Sequence, residues 1–392
     1  MRTHSPAKMS GYPSGTKGPG GYSNDIQFGD YRNGGYGEMD LPQRSGATSF
    51  WDVRHWDKKR WAIIGGIILA IIIIIIVVAV VESKNNKYPD YSPLTYKLQD
   101  QFSGTNFFDN FDYFTGYDPS FGFVHYVPQA QATQLNLTYA SSTSAVLKVD
   151  TSVTPDSVPN ASTGRFSVRI SSKATYNSGL FIFDVLHSPI GCATWPALWL
   201  TDPSNWPMNG EIDVMEAVNV VSDAQNQMTL HTSSGCKMNV KRKETGKSLS
   251  TSCVNSTDNN SGCGVHAATN TFGTTFNNNG GGVLAMELRS AGIRMWQFAR
   301  NAIPSDITSG SPNPAGWGEA TADFPGTDCN INNHFRNQSI IANIDLCGSW
   351  AGDPTIYNAT CPGVCTDLVA NQPTAFADSY WEFGTFSVYQ AS

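Results

Sequence analysis

Three acidic residues stand within six positions in the segment Glu211-Ile-Asp-Val-Met-Glu216. Apolar residues separate them, and this composition is typical of a buried strand rather than of a solvated loop. Burying several carboxyl groups together is unfavourable unless the protein uses or neutralises them. Two such groups, roughly 5–5.5 Å apart, can break a glycosidic bond with retention. One attacks the anomeric carbon, and the other protonates the leaving oxygen and then activates water.

The three acids can act together only if they lie on the same face of a sheet. Side chains of a regular strand alternate between faces, so Glu211 and Asp213 share one face and Glu216 lies on the other. We predict a one-residue bulge at Val214–Met215, because it would return Glu216 to the first face. Two alternatives stay open: a solvated acidic strand, and a calcium site, although calcium prefers loop carboxylates with carbonyls and waters.

The residues around the acids suit a neutral, sugar-like ligand. Trp195, Trp199 and Trp206 lie just upstream, and sugar rings stack their C–H faces on such aromatic rings. Core packing is the alternative role for each tryptophan. His231 is expected in the next strand, where it could hydrogen-bond Asp213 or substrate, or serve only the structure. We found no phosphate loop, serine elbow or His-Glu-x-x-His motif, and we expect no cofactor and no metal.

The chain after residue 95 has the pattern of an all-β domain. Short runs with period-two alternation are bounded by Gly, Pro and Asn, and no long stretch has helical periodicity. Examples of such runs are Arg165–Ile170, Gly179–Asp184, Met228–Thr232 and Phe383–Tyr389. Many short strands predict a β-sandwich over residues 96–392.

Residues 62–81 form an uncharged stretch of 20 residues that includes six consecutive isoleucines. At about 1.5 Å per residue a helix of this length spans roughly 30 Å, the thickness of the hydrocarbon core of a bilayer. The stretch therefore predicts a transmembrane helix and a lipid bilayer as a partner. Residues 1–60, rich in Gly, Pro and Tyr, are expected to be a disordered cytoplasmic tail, and residues 82–95 a polar stalk.

The charges beside this stretch predict its orientation. Basic residues are denser before the helix than after it, so the positive-inside rule places the N-terminus in the cytoplasm. The flanking charges are Arg54, Lys58, Lys59 and Arg60 before the helix, and Glu82, Lys84 and Lys87 after it. We thus expect a single-pass type II membrane protein whose main domain is extracellular or lumenal. A cleaved signal peptide is the alternative.

The cysteines and glycosylation sequons agree with that orientation. All eight cysteines follow residue 190, and an even count fits up to four disulfides in an oxidising compartment. We expect Cys361–Cys365 to pair locally and, less firmly, Cys329–Cys347; a zinc site is disfavoured because the spacings are irregular. Six Asn-x-Ser/Thr sequons also follow the helix and predict N-glycosylation. They begin at Asn136, Asn160, Asn255, Asn259, Asn337 and Asn358.

Charge excludes one class of partner. Residues 1–60 carry nine Lys/Arg and six Asp/Glu, a net +3, whereas the remaining residues carry sixteen against twenty-six, a net −10. An acidic main domain argues against binding to nucleic acid. The sequence carries no signal for an oligomeric state.

The acidic segment resembles the Glu-x-Asp-x-x-Glu signature of glycoside hydrolase family 16, in its bulged, laminarinase-like form. The upstream Thr194-Trp-Pro-Ala-Leu-Trp-Leu200 and Trp206-Pro-x-x-Gly-Glu211 are similar to fungal members of that family. The resemblance covers about residues 96–390 and implies a concanavalin A-like β-jelly-roll sandwich with a sugar-binding cleft. It also implies that Glu211 is the nucleophile, Glu216 the acid/base, and Asp213 the residue that orients and tunes the pair.

The same resemblance implies endo-hydrolysis of β-1,3 or mixed β-1,3/1,4-glucan, with β-glucan as the binding partner. Two alternatives remain open at this stage. A transglycosylase would use the same residues but pass the sugar to another sugar hydroxyl. A wall protein that binds glucan without turnover would not need the acids.

Overall fold

The computed structural model describes residues 53–85 and 87–392. The tail predicted for residues 1–60 lies outside the described residues as far as residue 52. Its last part holds a short 3-10 turn, Val53–His55, and the start of helix α1, Lys58–Asn85. The helix therefore extends beyond both predicted ends, Ala62 and Val81. Within Lys58–Ser83 an 18-residue window reaches a mean hydropathy of 3.6, so the helix is long and apolar enough to cross a membrane.

The remaining elements are mostly strands. In chain order the strands are β1 Tyr96–Phe102, β2 Phe111–Tyr113, β3 Val124–Tyr126, β4 Thr138–Ala140, β5 Ala145–Lys148, β6 Arg165–Ser167, β7 Arg169–Ser172, β8 Gly179–His187, β9 Thr194–Thr201, β10 Glu211–Glu216, β11 Asp223–Ala224, β12 Gln227–His231, β13 Lys247–Ser248, β14 Val265–His266, β15 Phe272–Gly273, β16 Gly282–Arg289, β17 Gly292–Ala299, β18 Ala322–Pro325, β19 Ser339–Leu346 and β20 Tyr380–Ala391. The short helices are α2 Gln129–Gln134, α3 Thr274–Asn278, α4 Ser305–Thr308, α5 Ile331–His334, α6 Gly348–Ala351, α7 Pro354–Tyr357 and α8 Cys365–Asn371.

Two eight-stranded sheets pack face to face as a jelly-roll sandwich, which confirms the predicted fold class. The support sheet has the order β18-β17-β16-β8-β20-β5-β4, with β1 paired to β20. The site sheet has the order β13-β14-β12-β10-β9-β19-β7-β2. Three of the four runs quoted above match single strands; the run Arg165–Ile170 is divided between β6, which pairs in parallel with β3, and β7 of the site sheet.

Alternation along the strands separates the core from the opposite face of the site sheet. Leu198 and Leu200 of β9, with Ile340 and Ile344 of β19, are fully buried in the main hydrophobic cluster. The residues between them lie on the other face, where Trp199 of β9 is half-buried. This period of two is what a sheet with one apolar and one polar face requires.

Four disulfides join the eight cysteines, as the even count predicted. The pairs are Cys192–Cys361, Cys236–Cys329, Cys253–Cys263 and Cys347–Cys365. Both predicted pairs, Cys361–Cys365 and Cys329–Cys347, are therefore wrong. Pairing follows tertiary proximity rather than sequence distance: Cys192 and Cys361 are 169 residues apart, and Cys236 and Cys329 are bridge partners across two loops.

Residues 87–95, which we name the tyrosine strap, contact the support sheet. The Tyr88 and Tyr91 hydroxyls donate to the two carboxylate oxygens of Asp323 on β18, at 3.0 and 3.4 Å. The guanidinium of Arg294 lies 4.1 Å from the centre of the Tyr91 ring, a favourable cation–π geometry. The segment predicted as a polar stalk is thus attached to the edge strand β18 through the Asp323 side chain.

Candidate active site

The acidic strand contains the predicted bulge. Against β9, Asp213 pairs with Trp199 and Met215 pairs with Leu198, so Val214 is the additional residue. Val214 and Met215 are both fully buried in the core, although they are consecutive. Two consecutive side chains thus face the core, and the normal alternation resumes after them. Glu216 consequently lies on the same face as Glu211 and Asp213.

A buried amide holds the bulge in place. The Glu216 N–H donates to the Asn226 side-chain oxygen at 3.0 Å, and the Asn226 side-chain nitrogen donates to the Val214 carbonyl at 3.0 Å. These are backbone groups that regular strand pairing would otherwise satisfy. The Asn226 nitrogen also donates to Gln297 on the neighbouring sheet at 3.0 Å. Asn226 was not among the residues selected from the sequence, because a buried amide has no motif.

His231 lies beside the acids, as its predicted strand position suggested. It pairs with Glu211 across β10 and β12, and its Nε2 is 3.3 Å from Asp213 Oδ2 and 3.9 Å from Glu211 Oε1. The carboxylates raise the His231 pKa to about 9 in spite of burial, which opposes the rise. The ring is therefore a cation at neutral pH and neutralises part of the acidic charge.

The surroundings raise the proton affinity of both glutamates. Burial and the charge of Asp213 raise the pKa of Glu211 to about 7, while His231 and Arg169 oppose the rise. The same two causes raise the pKa of Glu216 well above its ordinary value. A raised pKa lets a buried carboxyl group keep its proton near neutral pH, as a general acid requires.

Two of the three predicted tryptophans contact the glutamates. The Trp195 indole N–H donates to Glu216 Oε1 at 2.7 Å. A hydrogen bond from Trp206 lowers the pKa of Glu211. Trp206 is 42% exposed, so part of its ring is open to solvent.

Trp199 has a more structural setting than the other two. Its N–H donates to Asn343 at 2.7 Å, and the Arg169 guanidinium lies 4.9 Å from its ring centre. The same guanidinium lies 4.8 Å from the Phe114 ring. Trp199 is half-buried, so these contacts fix the ring at the floor of the acidic face.

Glu211, Asp213 and His231 carry donor atoms that all lie within 4.8 Å of one another. A metal ion would need a neutral imidazole with a free lone pair. The raised pKa of His231 leaves the ring protonated at neutral pH, so this set fits an ion-pair network better than a metal centre.

Known proteins are similar to this chain in sequence and in fold. A family model described as "XgeA-like, catalytic GH16 domain" matches residues 111–389. A probable glycosidase of Schizosaccharomyces pombe is 45% identical over 309 residues, 78% of this chain and 72% of that protein. An endo-1,3(4)-beta-glucanase of Arthroderma benhamiae is 39% identical over 309 residues, 76% of this chain and 65% of that protein. The chain spans less than half the length of several Aspergillus relatives.

Two solved structures are similar over 76% of this chain and all of their own length. Laminarinase 16A from Phanerochaete chrysosporium, with two β-glucans in donor and acceptor sites, has 44% identity and a TM-score of 0.71. An elongating family 16 β-1,3-glucosyltransferase has 36% identity and a TM-score of 0.69.

The sandwich and its acidic face define an enzyme of the glycoside hydrolase class. The chain belongs to glycoside hydrolase family 16, and it is similar to fungal endo-1,3(4)-beta-glucanases and laminarinases.

Proposed function

We propose that this chain is a retaining endo-glucanase that cleaves β-1,3 or mixed β-1,3/1,4-glucan. The observation that carries the proposal is the bulge at Val214, because it brings Glu211, Asp213 and Glu216 to one face. The glucan-bound laminarinase at 44% identity supports β-glucan as the substrate.

In the proposed mechanism Glu211 attacks the anomeric carbon as a carboxylate, and Glu216 gives its proton to the leaving oxygen. The glycosyl–Glu211 ester then reacts with water, whose proton Glu216 takes back. Burial and the charge of Asp213 raise the pKa of Glu216 well above its ordinary value, which suits a carboxyl group that must hold a proton for the leaving oxygen. Asp213 lies between them and pairs with the His231 cation, 3.3 Å away.

The tryptophans would bind the sugar chain. Trp206 is exposed beside Glu211, where it offers an aromatic face to a sugar ring. Trp195 combines a half-buried ring with the hydrogen bond to Glu216, so it is both a wall of the site and a partner of the acid. We assign Trp199 to the floor of the same site. His231 contributes its positive charge.

The first test is hydrolysis by the full chain in detergent of laminarin, lichenan, chitin and xyloglucan, with the products sized. We expect cleavage of laminarin or lichenan to oligosaccharides, and none of chitin. Glu211→Gln and Glu216→Gln should each lower kcat by at least about a thousandfold, on the order of 4 kcal/mol in the barrier. Glu319→Gln, an exposed glutamate outside the site, is the matched control.

The two roles can be separated chemically. With an aryl β-glucan oligosaccharide and azide, Glu216→Ala should release the β-azide, because Glu211 still forms the glycosyl ester. Glu211→Ala should give the α-azide by direct attack. The opposite pattern would reverse the roles, and wild-type protein that binds glucan without cleaving it would contradict the proposal.

Transglycosylation is the second candidate, because the elongating β-1,3-glucosyltransferase shares 36% identity over its full length. The same glycosyl–Glu211 ester would react with a sugar hydroxyl instead of water. Products longer than the starting oligosaccharide would favour this reaction.

We also propose that α1 anchors the enzyme in a membrane. The helix is uncharged over residues 62–81, and the bias of basic residues towards its N-terminal side supports a type II orientation. Five of the six sequon asparagines are exposed, and Asn255 is half-buried. Exposure of these asparagines is what glycosylation on the lumenal or extracellular side of the membrane would require. Protease protection in sealed microsomes, with glycosidase digestion, tests this orientation.

A further inference from the structure

A loop closed by the Cys253–Cys263 disulfide is attached to β12 on both sides of His231. The Cys263 N–H donates to the Leu230 carbonyl at 3.2 Å, and the Thr232 N–H donates to the Cys253 carbonyl at 2.7 Å. His231 therefore lies between the two points where the loop is attached. The tip of the loop, the 3-10 turn Asp258–Asn260, buries no side chain.

The tip of this loop has an uncommon backbone. Asp258, Asn259 and Asn260 are three consecutive residues with φ of 50, 54 and 59°. Asp and Asn tolerate the left-handed region better than other side chains, but three in succession is a costly arrangement. Such an arrangement persists when surrounding contacts impose it, and here it directs one side chain towards the acidic face.

That side chain is Asn260, whose Oδ1 lies 3.1 Å from His231 Nδ1. The loop also closes over the edge of the ring, because a side chain at Gly262 would overlap His231 Cε1. With Nδ1 donating to Asn260, the opposite nitrogen is directed at Asp213 and Glu211.

We propose that Asn260 is a positioning residue, held by the Cys253–Cys263 loop, that aims the His231 cation at Glu211 and Asp213. The inference rests on the proposed function, because it gives His231 a role in keeping the nucleophile ionised. Asn260 acts through His231, the side chain to which it is hydrogen-bonded.

The charges around His231 make the effect measurable. Glu211, Asp213 and Glu216 face the ring from β10, and Arg169 on β7 adds a positive charge towards Glu211. When the ring turns away, Glu211 loses a nearby cation and binds its proton more tightly. The acidic limb of kcat/KM should then move to higher pH.

The test is the pH profile of kcat/KM on laminarin for the full chain in detergent. We expect Asn260→Ala to lower kcat/KM about three- to tenfold at pH 6, the size of one lost hydrogen bond, and to leave the plateau near pH 8 unchanged. Asn260→Asp should restore the profile, because a carboxylate oxygen can accept the same hydrogen bond. Ser261→Ala is the matched control, since it removes the sequon at Asn259 and keeps Asn260.

A second readout does not depend on activity. In chain labelled with ¹⁵N-histidine, the His231 ring should titrate at lower pH in Asn260→Ala than in wild type, and Thr232→Ser should leave it unchanged. An equal loss of kcat/KM at every pH, or an unshifted His231 titration, would overturn the role of Asn260. Wild-type protein inactive on all glucans would instead refute the proposed function, and the ring titration would still decide this inference.

Discussion

At the residue scale, each glutamate of the site has an indole partner. The Trp195 N–H donates to Glu216 Oε1 at 2.7 Å, and Trp206 acts on Glu211 in the same way. A donor to a carboxylate stabilises the charged form, so both indoles oppose the effect of burial on the pKa. The tryptophans thus affect the pKa values of the acids, in addition to the sugar-binding role that we propose for them.

Replacing Trp195 should therefore shift one limb of the pH profile. Trp195→Phe keeps most of the ring but removes the donor, so the pKa of Glu216 rises and the acid keeps its proton to higher pH. We expect the alkaline limb of kcat/KM to move up by about half to one pH unit, the equivalent of one hydrogen bond. Trp350→Phe is the control, because Trp350 packs edge-on against Trp195 at 5.5 Å. A limb that moves to lower pH would contradict this account.

The sequence indicated some site residues and not others for a physical reason. Glu211, Asp213 and Glu216 are costly to bury, so their spacing among apolar residues is a strong signal. Asn226 and Asn260 are neutral amides in a chain rich in Asn, and each matters through a contact formed only in the folded state. Their roles became visible only when the distances to Glu216 and His231 were known.

At the element scale, the bulge of β10 depends on a side chain from outside the strand. Asn226 bonds the Glu216 N–H and the Val214 carbonyl, and it is fully buried. The bulge could be predicted from the sequence, because without it Glu216 would lie on the opposite face of the sheet from Glu211 and Asp213. The side chain that stabilises it could not, because Asn226 precedes the next strand and has no periodic relation to β10.

Asn226→Ala should leave two buried backbone groups without partners. At about 1–3 kcal/mol for each group, we expect about 2–6 kcal/mol of lost stability and a fall in kcat larger than the change in KM, since Glu216 loses its position. Gln225→Ala is the control, because Gln225 bonds the Ala267 carbonyl at 2.8 Å and does not touch the bulge. Thermal unfolding and steady-state kinetics give both quantities. Equal kcat in the two variants would rule out the positioning role of Asn226.

Elements that depend on long-range pairing were the least predictable. The alternation of Gly179–Asp184 was sufficient to predict β8, because one local pattern defines the strand. Disulfide connectivity was predicted wrongly, since Cys365 begins helix α8 and pairs with Cys347, while Cys361 pairs with Cys192 near the start of β9. Local spacing carries no information about which loops meet.

At the scale of the whole molecule, the buried acids couple stability to pH. Burial raises the pKa values of Glu211, Glu216 and Asp345, so the folded chain binds these protons more tightly than the unfolded chain. Stability then falls as pH rises between the unfolded and folded values, from 4.5 to about 7 for Glu211. The raised pKa of His231 adds stability below 6.5 that is lost as pH rises towards about 9.

We therefore expect the melting temperature of the full chain to be higher at pH 6 than at pH 9. Glu211→Gln should reduce the dependence between pH 4.5 and 7, because the side chain no longer titrates. Glu319→Gln should leave it unchanged, since Glu319 is exposed. Scanning calorimetry in detergent across this range measures the effect. A melting temperature that rises from pH 6 to 9 would show that other groups dominate.

If α1 anchors the chain in a membrane, as we propose, the tyrosine strap limits the distance between the catalytic domain and the anchor. Helix α1 ends at Asn85, and the Lys87 carbonyl already accepts a hydrogen bond from Thr327 at 3.1 Å. One intervening residue adds at most about 3.6 Å of slack, against roughly 50 Å for a fully extended tether of fourteen residues. In the membrane arrangement that we propose, the catalytic domain therefore stays close to the bilayer surface. It would trim only glucan that lies against the bilayer and leave distant layers of a wall untouched.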